Sequence, residues 1–294
     1  MSIPIALQAG DHVAIVATAK RIEFDINQAL NCLKGWGLVP IVGEYALRAS
    51  GYFACTTEEC LHDLDWALND PKIKAIFFLR GGYGTTRIID QLALPSASKW
   101  MVGYSDLTSM ILQLNTSKHT MVHGAMCSTL GQDAQSDEAL RALLFGEKQF
   151  VYPLEDSKLT RVGILEGEII GGNLSLIYES IGAPNQIDLK RKILFLEEVG
   201  EEMYAIDRML NKLKRTGLLN GVAGLVIGSF TAIGNKNNYF IETVEELICR
   251  YFPEELPKAV GLSAGHDQVN YPLLLGQNAR LTISPHELTL HYLE

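Results

Sequence analysis

The first half of the chain alternates short apolar runs with amphipathic stretches. His12–Thr18 is an almost unbroken apolar run of strand length, and Ile22, Ile26, Ala29, Leu30 and Leu33 then fall at helical spacing until Gly35 and Gly37 stop them. Leu38–Val42 reads as a second strand. Thr56-Thr-Glu-Glu59 has the form of a capping box, so Thr56 is predicted to cap a helix whose Leu61, Leu64 and Leu68 face inward until Pro71 ends it. Ile73–Leu79 is a third strand, leading into Arg80-Gly-Gly-Tyr-Gly84 and a helix near Thr85–Leu92. Trp100–Tyr104 is a fourth, running through Ser105-Asp106 into another helix, and Met121–His123 adds a fifth. Strands that alternate with helices in this way predict a parallel sheet covered on both faces, an α/β architecture.

The pattern weakens around Asp133–Leu159 into polar, charged and small residues punctuated by Gly146 and Pro153. The expected division is therefore an α/β domain over 1–135, a linker over 136–160 and a second domain over 161–294. In the second domain Ile169-Ile170 leads to Gly171-Gly-Asn-Leu174, Ile193–Glu198 and Val222–Ile227 are strands, and Glu202–Leu213 and Ile241–Tyr251 are helices. Ala279–Ile283 and Glu287–Leu290 close the chain as a hairpin.

Composition narrows the classes. Of 294 residues 47% are hydrophobic and 20% charged, enough apolar material for a sizeable core, so disorder is disfavoured. The net charge of −9, with no dense basic stretch, disfavours nucleic acid or an anionic membrane as the main partner. Five scattered cysteines with no C-x-x-C pair indicate neither a disulfide framework nor a zinc knuckle; Cys55 and Cys60, the closest pair, read as ordinary small residues. The amino terminus has no basic region followed by an apolar core, and the default address is the cytoplasm.

Three segments could carry chemistry. Ser105 in Gly103-Tyr-Ser-Asp-Leu-Thr108 is expected at the carboxyl end of the sheet, where open α/β folds place their sites; it is either a nucleophile or a helix cap. If it is a nucleophile, the N–H of Asp106 points where an oxyanion forms. The Arg80–Gly84 loop offers free amides to an anion, or is a plain glycine turn. His266, in the loop Ser263-Ala-Gly-His-Asp-Gln-Val-Asn270, is the candidate base, with His123 as competitor. Glu197 and Glu198 end a strand and point to opposite faces, so one of them can orient an imidazole; Glu197 is the first choice and Glu198 the second.

Taken together, Gly81-Gly-Tyr-Gly84, Gly103-Tyr-Ser-Asp106, Gly171-Gly-Asn-Leu174, the Phe195-Leu-Glu-Glu198 segment followed by Tyr204–Leu210, and Gly265-His266 resemble, in order and context, the serine LD-carboxypeptidases. That family includes the murein tetrapeptide carboxypeptidases and the microcin C immunity peptidases. The resemblance implies a Rossmann-like amino-terminal domain, a β-rich carboxy-terminal domain with helices, and a homodimer. It also implies a Ser105–Glu197–His266 triad and an oxyanion hole from the backbone of Gly82 and Asp106. With the nucleophile in one domain and its partners in the other, domain position is expected to control activity. Where the family carries glycine after Tyr-Phe-Ala, this chain has Cys55.

The implied reaction is cleavage of an L,D-peptide bond with release of the terminal D-alanine of murein tetrapeptide, without metal or other cofactor. Arg80, Tyr83 and Asn173 are candidate substrate contacts. One alternative is hydrolysis of a peptidyl or aminoacyl nucleotide, for which Tyr52, Trp66 or Tyr83 would stack on the base. Another, from a different class, is a non-catalytic module that binds an anion or peptide.

Overall fold

The computed structural model describes residues 3–93, 98–116 and 119–293. They form two compact units. The first comprises the chain up to Glu147 together with Pro272–Leu274; the second comprises Lys148–Tyr271 and the chain from Leu275 onward.

In the first unit β1 (His12–Val16), β2 (Val39–Val42), β3 (Ile73–Phe78), β4 (Trp100–Val102) and β5 (Met121–His123) make a parallel sheet in the order β2-β1-β3-β4-β5. Residues Val13–Val16 and Ala75–Phe78 are buried on both faces, which is why these strands read as continuous apolar runs. Helices α1 (Asn27–Gly35), α2 (Thr57–Asn69), α3 (Thr108–Thr116) and α4 (Ala134–Leu144) complete the wrapping. This order is the second common doubly wound arrangement, whose direction of winding reverses between β1 and β3.

The capping box forms as expected: Thr56 Oγ1 accepts from Glu59 N–H, and Glu59 accepts from Thr56 N–H at 2.9 Å. The helix expected near Thr85–Leu92 is instead two short 3₁₀ turns, Thr85–Arg87 and Ile89–Gln91. Thr85, Thr86, Ile88 and Ile89 are β-branched and stiff at χ1, which disfavours a sustained α-helix there. The segment expected as linker carries α4 and β6 (Gln149–Pro153), and the units divide between these two elements.

The second unit holds a seven-stranded sheet. β7 (Gly163–Asn173), β8 (Ile193–Val199), β9 (Gly224–Thr231) and β10 (Lys258–Val260) run parallel. On the far side of β7, β12 (Gln277–Ile283), β13 (Glu287–Tyr292) and β6 add antiparallel strands. The hairpin β12–β13 is the one its alternation predicted, with every second residue of β12 buried. Between β10 and β12 along the chain, β11 (Leu273–Leu275) lies at the edge of the first unit's sheet, beside β5. Helices α5 (Leu174–Glu179), α6 (Met203–Arg215) and α7 (Val244–Cys249) join the parallel strands. No helix among the described residues is long and apolar enough to cross a membrane.

The cysteine expectation needs correction: Cys55 and Cys60 form a disulfide. The Thr56 cap turns the chain so that the first turn of α2 brings Cys60 back beside Cys55, with 5.5 Å between their Cα atoms. A five-residue spacing read linearly does not reveal that return. Closing so short a loop removes conformational freedom worth about 2 kcal/mol from the unfolded chain. Replacing both cysteines by serine is expected to lower unfolding stability by that amount in urea titrations under non-reducing conditions. Adding reductant should lower the wild type toward the variant and leave the variant unmoved.

Candidate active site

The nucleophile candidate sits on a turn that its own sequence makes costly. Ser105 has φ +64°, in the left-handed region that non-glycine residues rarely occupy. It opens the 3₁₀ turn Ser105–Leu107, which leads directly into α3 and has no side-chain cap. A serine that served only as a cap would have extended backbone and accept from a helix N–H. Ser105 does neither.

Gly81 explains how the turn is held. A Cβ at Gly81 would lie 2.8 Å from both the Cβ and the Oγ of Ser105, and 3.4 Å from the N of Asp106. The glycine therefore lets the loop after β3 press directly on the serine. The Asp106 carboxylate reinforces the contact by accepting from the N–H of Thr85 at 2.9 Å, and Thr85 Oγ1 lies 3.0 Å from Thr18 Oγ1. The loops after β1, β3 and β4 are thus tied together by buried hydrogen bonds. Gly82, at φ +122°, follows in the same loop, and Tyr83 projects from it, 52% exposed, with its ring 5.9 Å from that of Phe53. Arg80 turns back on this loop, its Nε donating to the Gly81 carbonyl at 3.2 Å. His123, at the end of β5, is fully buried with its ring 5.5 Å from that of Tyr104.

In the second unit His266 Nδ1 lies 2.7 Å from Glu197 Oε2. The imidazole is 19% exposed and the carboxylate not at all. Burial pushes the Glu197 carboxyl above its ordinary value, opposed by the hydrogen bond and charge of His266, while the neighbouring Glu198 adds to the rise. A Cβ at Gly265, φ +139°, would come within 2.9 Å of Glu197 Oε2, so glycine is needed there for the histidine loop to approach the acid. Asn270 fixes the loop by accepting from Gly265 N–H at 2.9 Å, and Thr231 Oγ1 donates to the His266 carbonyl at 3.3 Å.

Both acids at the end of β8 are buried, and they do different work. Glu198 accepts from Asn173 Nδ2, from Ser175 N–H and Oγ–H, and from Val199 N–H, all within 2.9 Å. It anchors the start of α5. Asn173, a candidate substrate contact in the sequence, is 3% exposed; besides holding Glu198 it caps α5 through Leu176 N–H. The β8–β9 register shifts between Leu196 and Glu198, an irregularity that re-aims neighbouring side chains at the point where Glu197 turns to His266. Asn270, Ser175 and Thr85 had no assigned role in the sequence. Asn270 and Ser175 each lie within a few residues of a glycine in the motifs, which is the only linear sign of them.

An imidazole whose Nδ1 is engaged by a carboxylate keeps Nε2 for a hydroxyl proton, and a strained serine backed by glycine amides suits acyl transfer. Residues 13–124 match the LD-carboxypeptidase N-terminal domain and residues 166–281 the LD-carboxypeptidase C-terminal domain. A probable murein peptide carboxypeptidase of Bacillus subtilis is 39% identical over 95% of this chain and 91% of its own length. Among solved structures, the muramoyltetrapeptide carboxypeptidase of Oxalobacter formigenes is 25% identical, with a TM-score of 0.86 over 96% of this chain and 99% of that one. The microcin C7 self immunity protein MccF, at 16% identity, shares the fold with a TM-score of 0.87 over the whole of both chains. With both domains matched in order across most of its length, the chain belongs to the LD-carboxypeptidase family.

Proposed function

We propose that the protein is a serine LD-carboxypeptidase that removes the terminal D-alanine from murein tetrapeptide. The observation that carries the reading is the 2.7 Å pairing of Glu197 with His266, which supplies an oriented base. Ser105 is the nucleophile. His266 Nε2 takes its proton as Oγ attacks the carbonyl carbon of the L,D-peptide bond, and the N–H groups of Gly82 and Asp106 receive the oxyanion. The imidazolium, stabilised by Glu197, protonates the departing amine and D-alanine leaves. Water, activated by the same imidazole, then hydrolyses the acyl-enzyme and restores Ser105.

Electron pairs and protons balance without a further co-reactant. The strained backbone at Ser105 favours this over a non-catalytic anion-binding module, where a serine cap would need no strain. The names of the Bacillus and Oxalobacter relatives favour a murein peptide over a nucleotide conjugate. Tyr83 and Arg80 flank the oxyanion loop as proposed substrate contacts. A homodimer and a cytoplasmic address complete the proposal; the Cys55–Cys60 bond is in tension with that address, because cytosolic thiols are held reduced.

Incubated with murein tetrapeptide, the wild type is expected to release D-alanine and Ser105→Ala to lose at least about 10⁴-fold in kcat. Wild-type rates from Ser105→Ala would refute the mechanism, and turnover of an aminoacyl nucleotide in place of tetrapeptide would transfer the reading to the MccF type.

Glu197→Gln should cost roughly 10⁴-fold in kcat, because an amide cannot stabilise the imidazolium. The same variant tests the raised carboxyl. Between the ordinary glutamate value of 4.5 and the raised folded-state value, the unfolded chain releases a proton that the folded chain keeps, so folding stability falls as pH rises. Because the anionic carboxylate is the form that stabilises the imidazolium, wild-type activity should decline as pH falls through the raised Glu197 titration. Urea unfolding across the same range should show the wild type losing stability with rising pH relative to Glu197→Gln.

A further inference from the structure

Winding reverses between β1 and β3, and doubly wound sheets bind ligands at the crevice outside the carboxyl ends of such a pair. The chain after β1 is Ala17–Lys20; the chain after β3 is Leu79–Gly84. Lys20 is pinned at this point. Ala54 N–H donates to the Ala19 carbonyl and Arg21 N–H to the Tyr52 carbonyl, both at 3.0 Å, and Lys20 itself bridges antiparallel to Phe53.

The two central glycines of the oxyanion loop are pressed from different directions. Gly81 lies on Ser105, and a Cβ at Gly82 would sit 2.8 Å from the Cβ of Lys20 and 3.4 Å from the hydroxyl of Tyr52. The lysine side chain thus leaves its backbone directly beside Gly82. Neighbouring cations are engaged: Arg21 pairs with Glu23, Arg80 Nε holds the Gly81 carbonyl, and Arg87 stacks 4.1 Å from the centre of the Phe53 ring. Lys20 is half-buried, and among the described residues no carboxylate lies within ion-pair distance of it; its Nζ is 5.8 Å from the centre of the Tyr52 ring. A cation at a ligand crevice with an aromatic face and no acid is suited to an anionic ligand group.

Resting on the proposed reaction, we infer that Lys20 binds the terminal carboxylate of the substrate, the one that departs with the D-amino acid. With the scissile carbonyl oxygen at the Gly82 amide, that carboxylate lies about one residue further along the peptide, ~3.5 Å away, within the span of a lysine side chain rooted beside Gly82. Lys20 then selects for peptide ends: an internal bond or an amidated terminus offers it no charge.

The test compares murein tetrapeptide with its carboxy-terminal amide, using wild type, Lys20→Met, Lys20→Arg and Arg80→Met. Wild type should prefer the free acid by roughly 10- to 100-fold in kcat/KM, the range of a charge-assisted hydrogen bond. In Lys20→Met the preference should fall toward one, chiefly through KM on the acid, and Lys20→Arg should restore part of it. A merely structural lysine would lower both substrates together and leave the ratio. A preference that survives in Lys20→Met, or collapses in Arg80→Met instead, overturns the inference. A second measurement is independent of turnover: equilibrium binding of N-acetyl-D-alanine against its amide. Loss of the acid preference in Lys20→Met supports the assignment even where tetrapeptide is not cleaved and the proposed function fails; an unchanged preference refutes it.

Discussion

A carboxylate wholly removed from solvent is tolerated only where donors or a compensating charge lie beside it, and at Glu197 that role falls to His266 at 2.7 Å. Much of the second unit's local architecture serves this contact. Gly265 gives up its Cβ so that the loop can come close, Asn270 holds the loop from below, and the shifted register of β8 against β9 turns the acid toward it. Glu198, one residue on, is buried almost as completely, but four hydrogen bonds, three from the start of α5 and one from Val199 N–H, satisfy it without a histidine. One acid is met by the histidine loop, and the other by the start of α5.

The first unit meets an analogous demand by different means. Ser105 is held in a left-handed conformation that costs of order 1 kcal/mol or more, and the surroundings over-determine it. Gly81 packs against its side chain and the Asp106 carboxylate grips the turn after the Arg80–Gly84 loop through Thr85. Strain of this kind aims a hydroxyl outward from a sheet edge and spares it from capping the helix behind it. The loops after β1 and β3 meet at the point where the winding reverses, which brings Lys20 beside Gly82, and the loop after β4 adds Ser105 beside Gly81.

How much of this was legible depended on whether the cause was local. Continuous apolar runs announced the parallel strands because burial on both faces demands them, and Thr56 with Glu59 announced α2 because a capping box is complete within four residues. The two 3₁₀ turns after Gly84 were missed although their cause, four β-branched residues among five, is equally local. The ordered motifs, read together through a resemblance, pointed to Ser105, Glu197 and His266 where single segments left each of them open.

By itself the sequence determined most of the strands and helices and which residue types could perform acyl transfer, since these follow from periodicity and from side-chain chemistry. Only the tertiary structure shows that Glu197, and not Glu198, lies against His266, because alternation says that adjacent residues face apart but not which face the histidine loop will cover. It also showed Asn173 capping α5 and holding Glu198, and joined Cys55 to Cys60. It singled out Lys20, whose bearing comes from a strand pairing with residues more than thirty positions away. Each of these rests on what lies across a gap in space from a side chain, and linear order carries no record of that distance.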